Sequence, residues 1–237
     1  MSQKIAQRMQ VISSFYVMAL LNRAKQLEAL GRDVIHMEIG EPDFPTPSRI
    51  VTAGIKLLQT GEVKYTSAAG LPELRQKIAQ YYQNQYGVVV ARERIIITPG
   101  ASGAFLLALG ISLNPGEELL MADPCYPCNS NFASLYGVIP RKLAVNADSA
   151  YQLTAAQIKQ HWRYSSKGVL IASPSNPTGT LIPPAALQDA VNTTKALGGY
   201  FFPMKFIMVW FTGKPPPLPC NTATMFLSSI AFRNILA

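Results

Sequence analysis

A chain of 237 residues, 49% apolar and only 14% charged, can bury a sizeable core and does not have the composition of a disordered protein. Its net charge of +8 is neither gathered into a stripe nor joined to a reader motif, so the balance gives no case for nucleic-acid binding. The three cysteines Cys125, Cys128 and Cys220 make no disulfide framework, and the expectation is reduced thiols in a cytoplasmic protein.

In chain order, Lys4 and Arg8 open a stretch that runs on amphipathically without a small-residue cleavage site, which is not how a signal peptide reads. From about Val11 to Leu30 apolar residues recur at helical spacing, and Gly31 suits the left-handed position that closes a helix. "VIHMEIG" alternates like a strand before the proline-punctuated "EPDFPTP". Thr46-Pro47-Ser48 opens a helix through "IVTAGIKLLQTG", and "VKYTSAAG" is a loop. "LPELRQKIAQYYQNQYG" is a helix with Pro72 in its first turn and Gly87 at its close. "RIIITPGASGAFLLALGISL" predicts strand, glycine loop and helix; "ELLMADPCYPC" a strand and loop; "VIPRKLAV" a strand; "TAAQIKQHWR" a helix. "GVLIASPSNPTGT" is a buried strand running into a polar turn, and "PPAALQDAVNTTKALGG" is a helix.

Strands alternating with helices imply an α/β fold with a mostly parallel sheet covered on both faces. Ligands in such sheets sit at the carboxyl ends of the strands. Three strands end in unusual loops there: "TPGASG", "DPCYPC" and "SPSNPTG". In the first, Gly100, Ala101 and Ser102 let a backbone approach an anion at a helix N-terminus, though a capped helix after a tight turn explains them about as well. The absence of G-K-[ST] excludes a nucleotide P-loop. In the second, Tyr126 stands on a proline-bracketed loop and can hold a ring against a planar ligand, or be a half-buried packing residue. The same loop gives Cys125 and Cys128 a C-x-x-C spacing, but His36, His161 and Cys220 are far apart, so no metal site is expected. In the third, Asn176 precedes Pro177 and projects an amide that both donates and accepts; as a turn, Asn-Pro-Thr-Gly is ordinary.

"GEPDFPTP", "KYTSAAGLPELRQKIA", "TPGASGAF", "DPCYP" and "SPSNPTGT", in this order, resemble the fold-type I pyridoxal-phosphate aminotransferases of class I/II, over about Val11 to Phe202. The resemblance implies a homodimeric enzyme with pyridoxal 5'-phosphate as cofactor, exchanging an amino acid and a 2-oxo acid. It places Gly40 near the substrate carboxylate and Tyr65 on the phosphate across a homodimer interface. Ala101 and Ser102 would hold the phosphate, Tyr126 would stack on the ring, and Asn176 would bond its 3-oxygen. The same scaffold carries C–S lyases and aminocyclopropane-carboxylate synthases, which is the rival enzymatic reading. A non-catalytic partner that docks on an intact subunit is the rival from another class.

By the same resemblance the expected division is an N-terminal arm and small-domain segment at 1–45, a partial three-layer α/β large domain at 46–202, and an aberrant tail at 203–237. The family also needs an acid and a tyrosine in "D-E-x-Y", then the Schiff-base lysine in "S-x-S-K". Neither motif follows Phe202, and Lys205 and Lys214 lie in no matching motif, so no catalytic residue is assigned. Instead "PMKFIMVWFTGKPPPLPC" introduces three consecutive prolines and no acid. Read from the third base of the Pro203 codon, with permissible third bases, this region becomes "DEIYHGLVYG" and later "SFSK". The single-codon residues Met204, Met208 and Trp210 constrain that fit. The expectation is a truncated, frameshifted and inactive chain whose tail does not pack as a native strand and helix. The apolar run from Leu218 is interrupted by Asn221, Ser228, Ser229 and Arg233, which argues against a membrane anchor.

Overall fold

The computed structural model describes residues 5–40 and 45–205. Beyond residue 205, the expected tail and its candidate Lys214 lie outside the described residues. The chain divides into two compact units: Ser13–Ser67 is one, and the described residues on either side of it make the other.

The Ser13–Ser67 unit holds helices α1 (Tyr16–Ala29) and α2 (Ser48–Thr60), neither with a buried residue. The expected strand "VIHMEIG" is not one. Its residues pair with no strand among the described residues, and Ile35 and Met37 are 84% and 87% exposed. Alternation makes a strand only where a partner offers a ladder. What organises this stretch is His36, whose Nε2 lies 2.9 Å from Glu28 and whose Nδ1 lies 2.7 Å from Glu38.

The larger unit is built on a four-stranded parallel sheet of order β2-β1-β3-β4, with β1 at Glu118–Asp123, β2 at Ile139–Ala144, β3 at Ser166–Ala172 and β4 at Tyr200–Met204. Parallel neighbours need crossovers. These are α5 (Pro127–Leu135), α6 (Ala155–His161) and α7 (Pro184–Ala196), while α3 (Pro72–Tyr86) and α4 (Gly100–Ser112) precede the sheet. Because side chains alternate along a strand, Leu119 and Met121 pack with Phe105 and Leu109 of α4 and Ala133 of α5 on one face. Leu120, Val169 and Phe201 pack with Ile158 of α6 and Val191 of α7 on the other. The result is a three-layer α/β domain. Gly168 lets the layers close: a Cβ there would stand 2.8 Å from Phe202 Cε2 and 2.9 Å from Leu119 Cδ1.

Three readings change. "RIIIT" forms no ladder: after a 3₁₀ turn at Arg92–Arg94 it is extended, with the Arg75 guanidinium on the carbonyls of Arg92 and Ile95 and the Ile97 amide on Ala69. Helix α5 was not expected, because Asn129, Ser130, Asn131 and Ser134 mask its apolar spacing. Strand β4 also runs past the expected boundary at Phe202 and includes Pro203 and Met204, both buried. The Met204 carbonyl accepts from the amide of Ser173, just past the end of β3, at 2.9 Å. Alternation then turns the nitrogen of Pro203 away from β3, where its missing donor costs no bond to that strand.

Candidate functional site

A cleft lies at the carboxyl ends of β1 and β3 and is walled by Tyr126, Asn129, Tyr151, Gln152, Ser175 and Asn176. Two of the residues singled out from sequence, Tyr126 and Asn176, therefore meet although fifty positions separate them.

Tyr126 follows β1 and stands at the N-cap of α5, with Pro127 beginning the helix and the Asn129 amide donating to the Tyr126 carbonyl at 3.1 Å. Burial, reinforced by a hydrogen bond with the Cys128 side chain, pushes its phenol up to about 12. At neutral pH the ring is a protonated, half-buried wall. Burial also pushes up the thiol of Cys125, which contacts Met121 Sδ at 3.9 Å, so neither geometry nor acidity makes it a nucleophile.

Asn176 stands in the loop after β3. The Ser175 amide donates to the Thr180 carbonyl at 2.8 Å and the Gly179 amide to Ser175 at 2.8 Å, while the Ser173 hydroxyl accepts from the Ile182 amide at 3.1 Å. These bonds close the loop on itself and hold Asn176 at the cleft.

Ala101 and Ser102 form the first turn of α4 and do not line the cleft. Gly100 has φ +74°, open only to glycine at low cost, and among the described residues no side chain caps the helix. Ser102 is exposed, while Ala101 packs against the same core cluster as Cys125. Gly40 and Tyr65 belong to the Ser13–Ser67 unit, where both are exposed. Lys205 does not line the cleft; its Nζ donates to the Tyr86 hydroxyl at 3.1 Å and lies 4.5 Å over that ring.

Sequence reading missed Asn129, Tyr151 and Gln152. Asn129 is 2% exposed and its Oδ1 is buried without a hydrogen-bond partner among the described residues. The available signal was its position one helical turn before buried Ala133, where a polar residue is unexpected. Tyr151, with φ +55°, follows Ala150 at φ +50°. Two successive non-glycine residues in the left-handed region concentrate strain at the wall of the cleft. Among the described residues no helix is long and apolar enough to cross a membrane.

The model of the family "Aminotransferase class I and II" matches residues 32–202. The chain is 40% identical over 178 residues to the (5-formylfuran-3-yl)methyl phosphate transaminase of Methanocaldococcus jannaschii, covering 75% of this chain and 46% of that protein. It is 35% identical over 187 residues to the valine–pyruvate aminotransferase of Mycobacterium tuberculosis, covering 79% and 48%. A solved aminotransferase from Mycobacterium tuberculosis superimposes with a TM-score of 0.85 at 30% identity, over 92% of this chain and 56% of that one. The chain thus spans about half the length of the curated relatives it matches. On the match over 32–202 and the fold it shares with these structures, the chain belongs to the class I and II aminotransferases.

Proposed function

We propose that this chain carries the cofactor-holding part of a pyridoxal 5'-phosphate-dependent transaminase that moves an amino group between an amino acid and a 2-oxo acid. The observation that carries this reading is the convergence of Tyr126 and Asn176, from the ends of two adjacent parallel strands, on one cleft. The donor set suits a flat pyridine bearing a phenolic oxygen and a phosphate. Tyr126 offers a wall for the ring, Asn176 an amide for the oxygen, and the uncapped N-terminus of α4 at Ala101 and Ser102 a seat for the phosphate. The buried, unpartnered Asn129 Oδ1 is what a pocket made for a polar ligand leaves behind.

When bound, the cofactor supplies an electron sink for the α-carbon of an amino acid. The protein's share is positional. Tyr126 fixes the plane of the ring and keeps water off one face. Asn176, by donating to the phenolic oxygen, holds charge there and sets where a shared proton rests. Gly40 would stand near the substrate carboxylate, and Tyr65 of a second copy would complete the phosphate site, making the working unit a dimer. The names of the matched relatives cover different donors, so the reading stops at the substrate class. No lysine of the 237 residues stands in a motif suited to hold the cofactor covalently, and the proposal is binding without turnover.

Titrating the purified chain with pyridoxal 5'-phosphate, followed by ring absorbance and tyrosine fluorescence, tests this. Saturable binding weakened about tenfold by Tyr126→Ala and by Asn176→Ala is expected. Binding that ignores both substitutions removes the reading, and conversion of any common amino acid to its oxo acid by this chain removes the inactivity. Restoring one nucleotide at the Phe202–Pro203 junction should yield a protein in which borohydride fixes the cofactor to a single lysine. A repaired gene that meets an early stop ends the frameshift account.

A further inference from the structure

Gln152 is 5% exposed, and its carboxamide sits where three segments meet. Its Nε2 lies 3.2 Å from the Ala172 carbonyl at the end of β3, 3.1 Å from the Thr180 carbonyl and 3.4 Å from Thr180 Oγ1. Two of these acceptors are carbonyls, which only the NH₂ end of the amide can meet, so the orientation of the side chain is settled by its partners. Thr180 is also the residue whose carbonyl accepts from Ser175, closing the loop around Asn176. Gln152 itself is delivered by the left-handed pair Ala150 and Tyr151, a local cost that persists only where surrounding contacts outweigh it.

We propose that Gln152 is a positioning residue for Asn176: it ties the end of β3 to the return of the 173–180 loop and so sets the height of the Asn176 amide above the cleft. The reason is geometric. Ala172 and Thr180 are the two ends of the excursion that contains Asn176, and one buried side chain donates to both. Without that donor, two part-buried carbonyls lose a partner, and the loop keeps its internal Ser175–Thr180, Ser175–Gly179 and Thr178–Thr180 bonds, the Ser173–Ile182 bond and the Ser173–Met204 bond to β4. Those bonds open more often once the loop has lost its tie through Gln152 to the end of β3. The inference rests on reading Asn176 as a cofactor contact.

The test has two arms, with Gln152→Leu, which keeps the bulk and removes the donor. In the first arm, hydrogen exchange needs no cofactor. Protection of the Ser175 and Gly179 amides should fall about tenfold while the β1–β2 amides keep theirs, and unchanged protection at Ser175 and Gly179 overturns the proposal. In the second arm, pyridoxal 5'-phosphate is titrated into wild type, Gln152→Leu, Asn176→Ala and the double variant. Gln152→Leu should weaken binding about tenfold in the wild-type background and less than twofold beside Asn176→Ala, because a residue acting through Asn176 has nothing left to position. Equal losses in both backgrounds mean a general structural role and overturn the proposal. If wild type binds no cofactor, the reading of Asn176 fails, while the exchange arm still decides whether Gln152 seats the loop. Should Gln152→Leu not fold, Gln152→Asn, which withdraws the donor by one methylene, carries both arms.

Discussion

Strand β1 begins at a carboxylate whose bonds are made within the protein and leads, past its carboxyl end, to a side-chain amide oxygen that has no partner among the described residues. At the amino end, Glu118 is 10% exposed through its side chain, accepts from the Ser166 hydroxyl at 3.0 Å and from Arg141 at 3.3 Å, and has Arg163 at 3.9 Å. Beyond the carboxyl end, Asn129 is as deeply buried but its Oδ1 meets nothing. Burying polarity costs free energy unless the bonds given up to water are remade. One end remakes them from its own side chains, and the other leaves one amide oxygen without them among the described residues. The contrast separates scaffold from site better than burial or polarity alone. Ser112 of α4, whose Oγ is likewise buried without a partner, shows the limit. A hydroxyl can rotate onto the carbonyl one turn back in its own helix, whereas a fixed amide cannot.

Removing the charge at the amino end should give the largest effect. Glu118→Ala strands the buried Ser166 hydroxyl and leaves Arg141 without its carboxylate, and should cost roughly 2–3 kcal/mol, the scale of charge-assisted bonds lost in a mostly buried site. Urea denaturation should show a lower midpoint with unchanged slope. A loss under about 0.5 kcal/mol would mean that this end is not tied together by Glu118.

The opposite sign is expected at the other end. Asn129→Leu replaces an amide whose oxygen is unsatisfied with an apolar side chain of similar bulk and should stabilise the chain by about 1 kcal/mol. Ser112→Ala, outside the cleft, should change stability by less than about 0.5 kcal/mol. If Asn129→Leu destabilises as much as Glu118→Ala, the two ends are alike and the unpartnered amide marks nothing.

Acid offers a reversible version of the first test. Burial by itself raises the carboxyl of Glu118, but the hydrogen bonds from Ser166 and Arg141 outweigh it and hold the group below the usual 4.5. A folded value below the unfolded one means that its contribution is complete above 4.5 and is lost as pH falls through the folded value. Glu118→Gln should therefore approach wild type in stability only on that acid limb, while Asn129→Leu keeps its difference at every pH. A constant Glu118→Gln deficit down to the lowest pH would assign its effect to shape and not to charge.

How much of this was legible beforehand follows from where the information resides. Tyr126 and Asn176 could be read because each stands beside a proline at a strand end, and Pro127 and Pro177 punctuate the chain locally. The three layers were legible because β1 and β3 are apolar on both faces and are followed by helices. "VIHMEIG" and "RIIIT" misled because β-periodicity describes a strand's faces and says nothing about a neighbour for its edges. Gln152 was illegible for a different reason. Its partners Ala172 and Thr180 are twenty and twenty-eight residues away, and no local pattern distinguishes a glutamine that will donate to them from one that will face water.

The smallest effect is expected where the chemistry of Glu118 recurs around a ring that is itself 37% exposed. His36, in the Ser13–Ser67 unit, bridges Glu38 and Glu28, and both ring nitrogens can donate only when the imidazole is protonated. The bond to Glu38, then that to Glu28, raises His36 above the ordinary 6.5, and the bond from His36 lowers Glu38 below 4.5. The contribution of His36 is therefore complete below 6.5 and fades as pH rises through its raised value. That of Glu38 is complete above 4.5 and fades as pH falls through its lowered value, so the bridge is whole between 4.5 and 6.5. The ring is exposed enough for water and salt to screen the pair. An NMR titration of the His36 ring should give a midpoint above 6.5 that falls toward it in Glu38→Gln and in 1 M salt, with little change in the urea midpoint of the whole chain. A titration indifferent to both would show that the bridge does not form in solution. A urea midpoint that moves with His36 as far as with Glu118 would show that the exposure of the ring does not weaken its cluster.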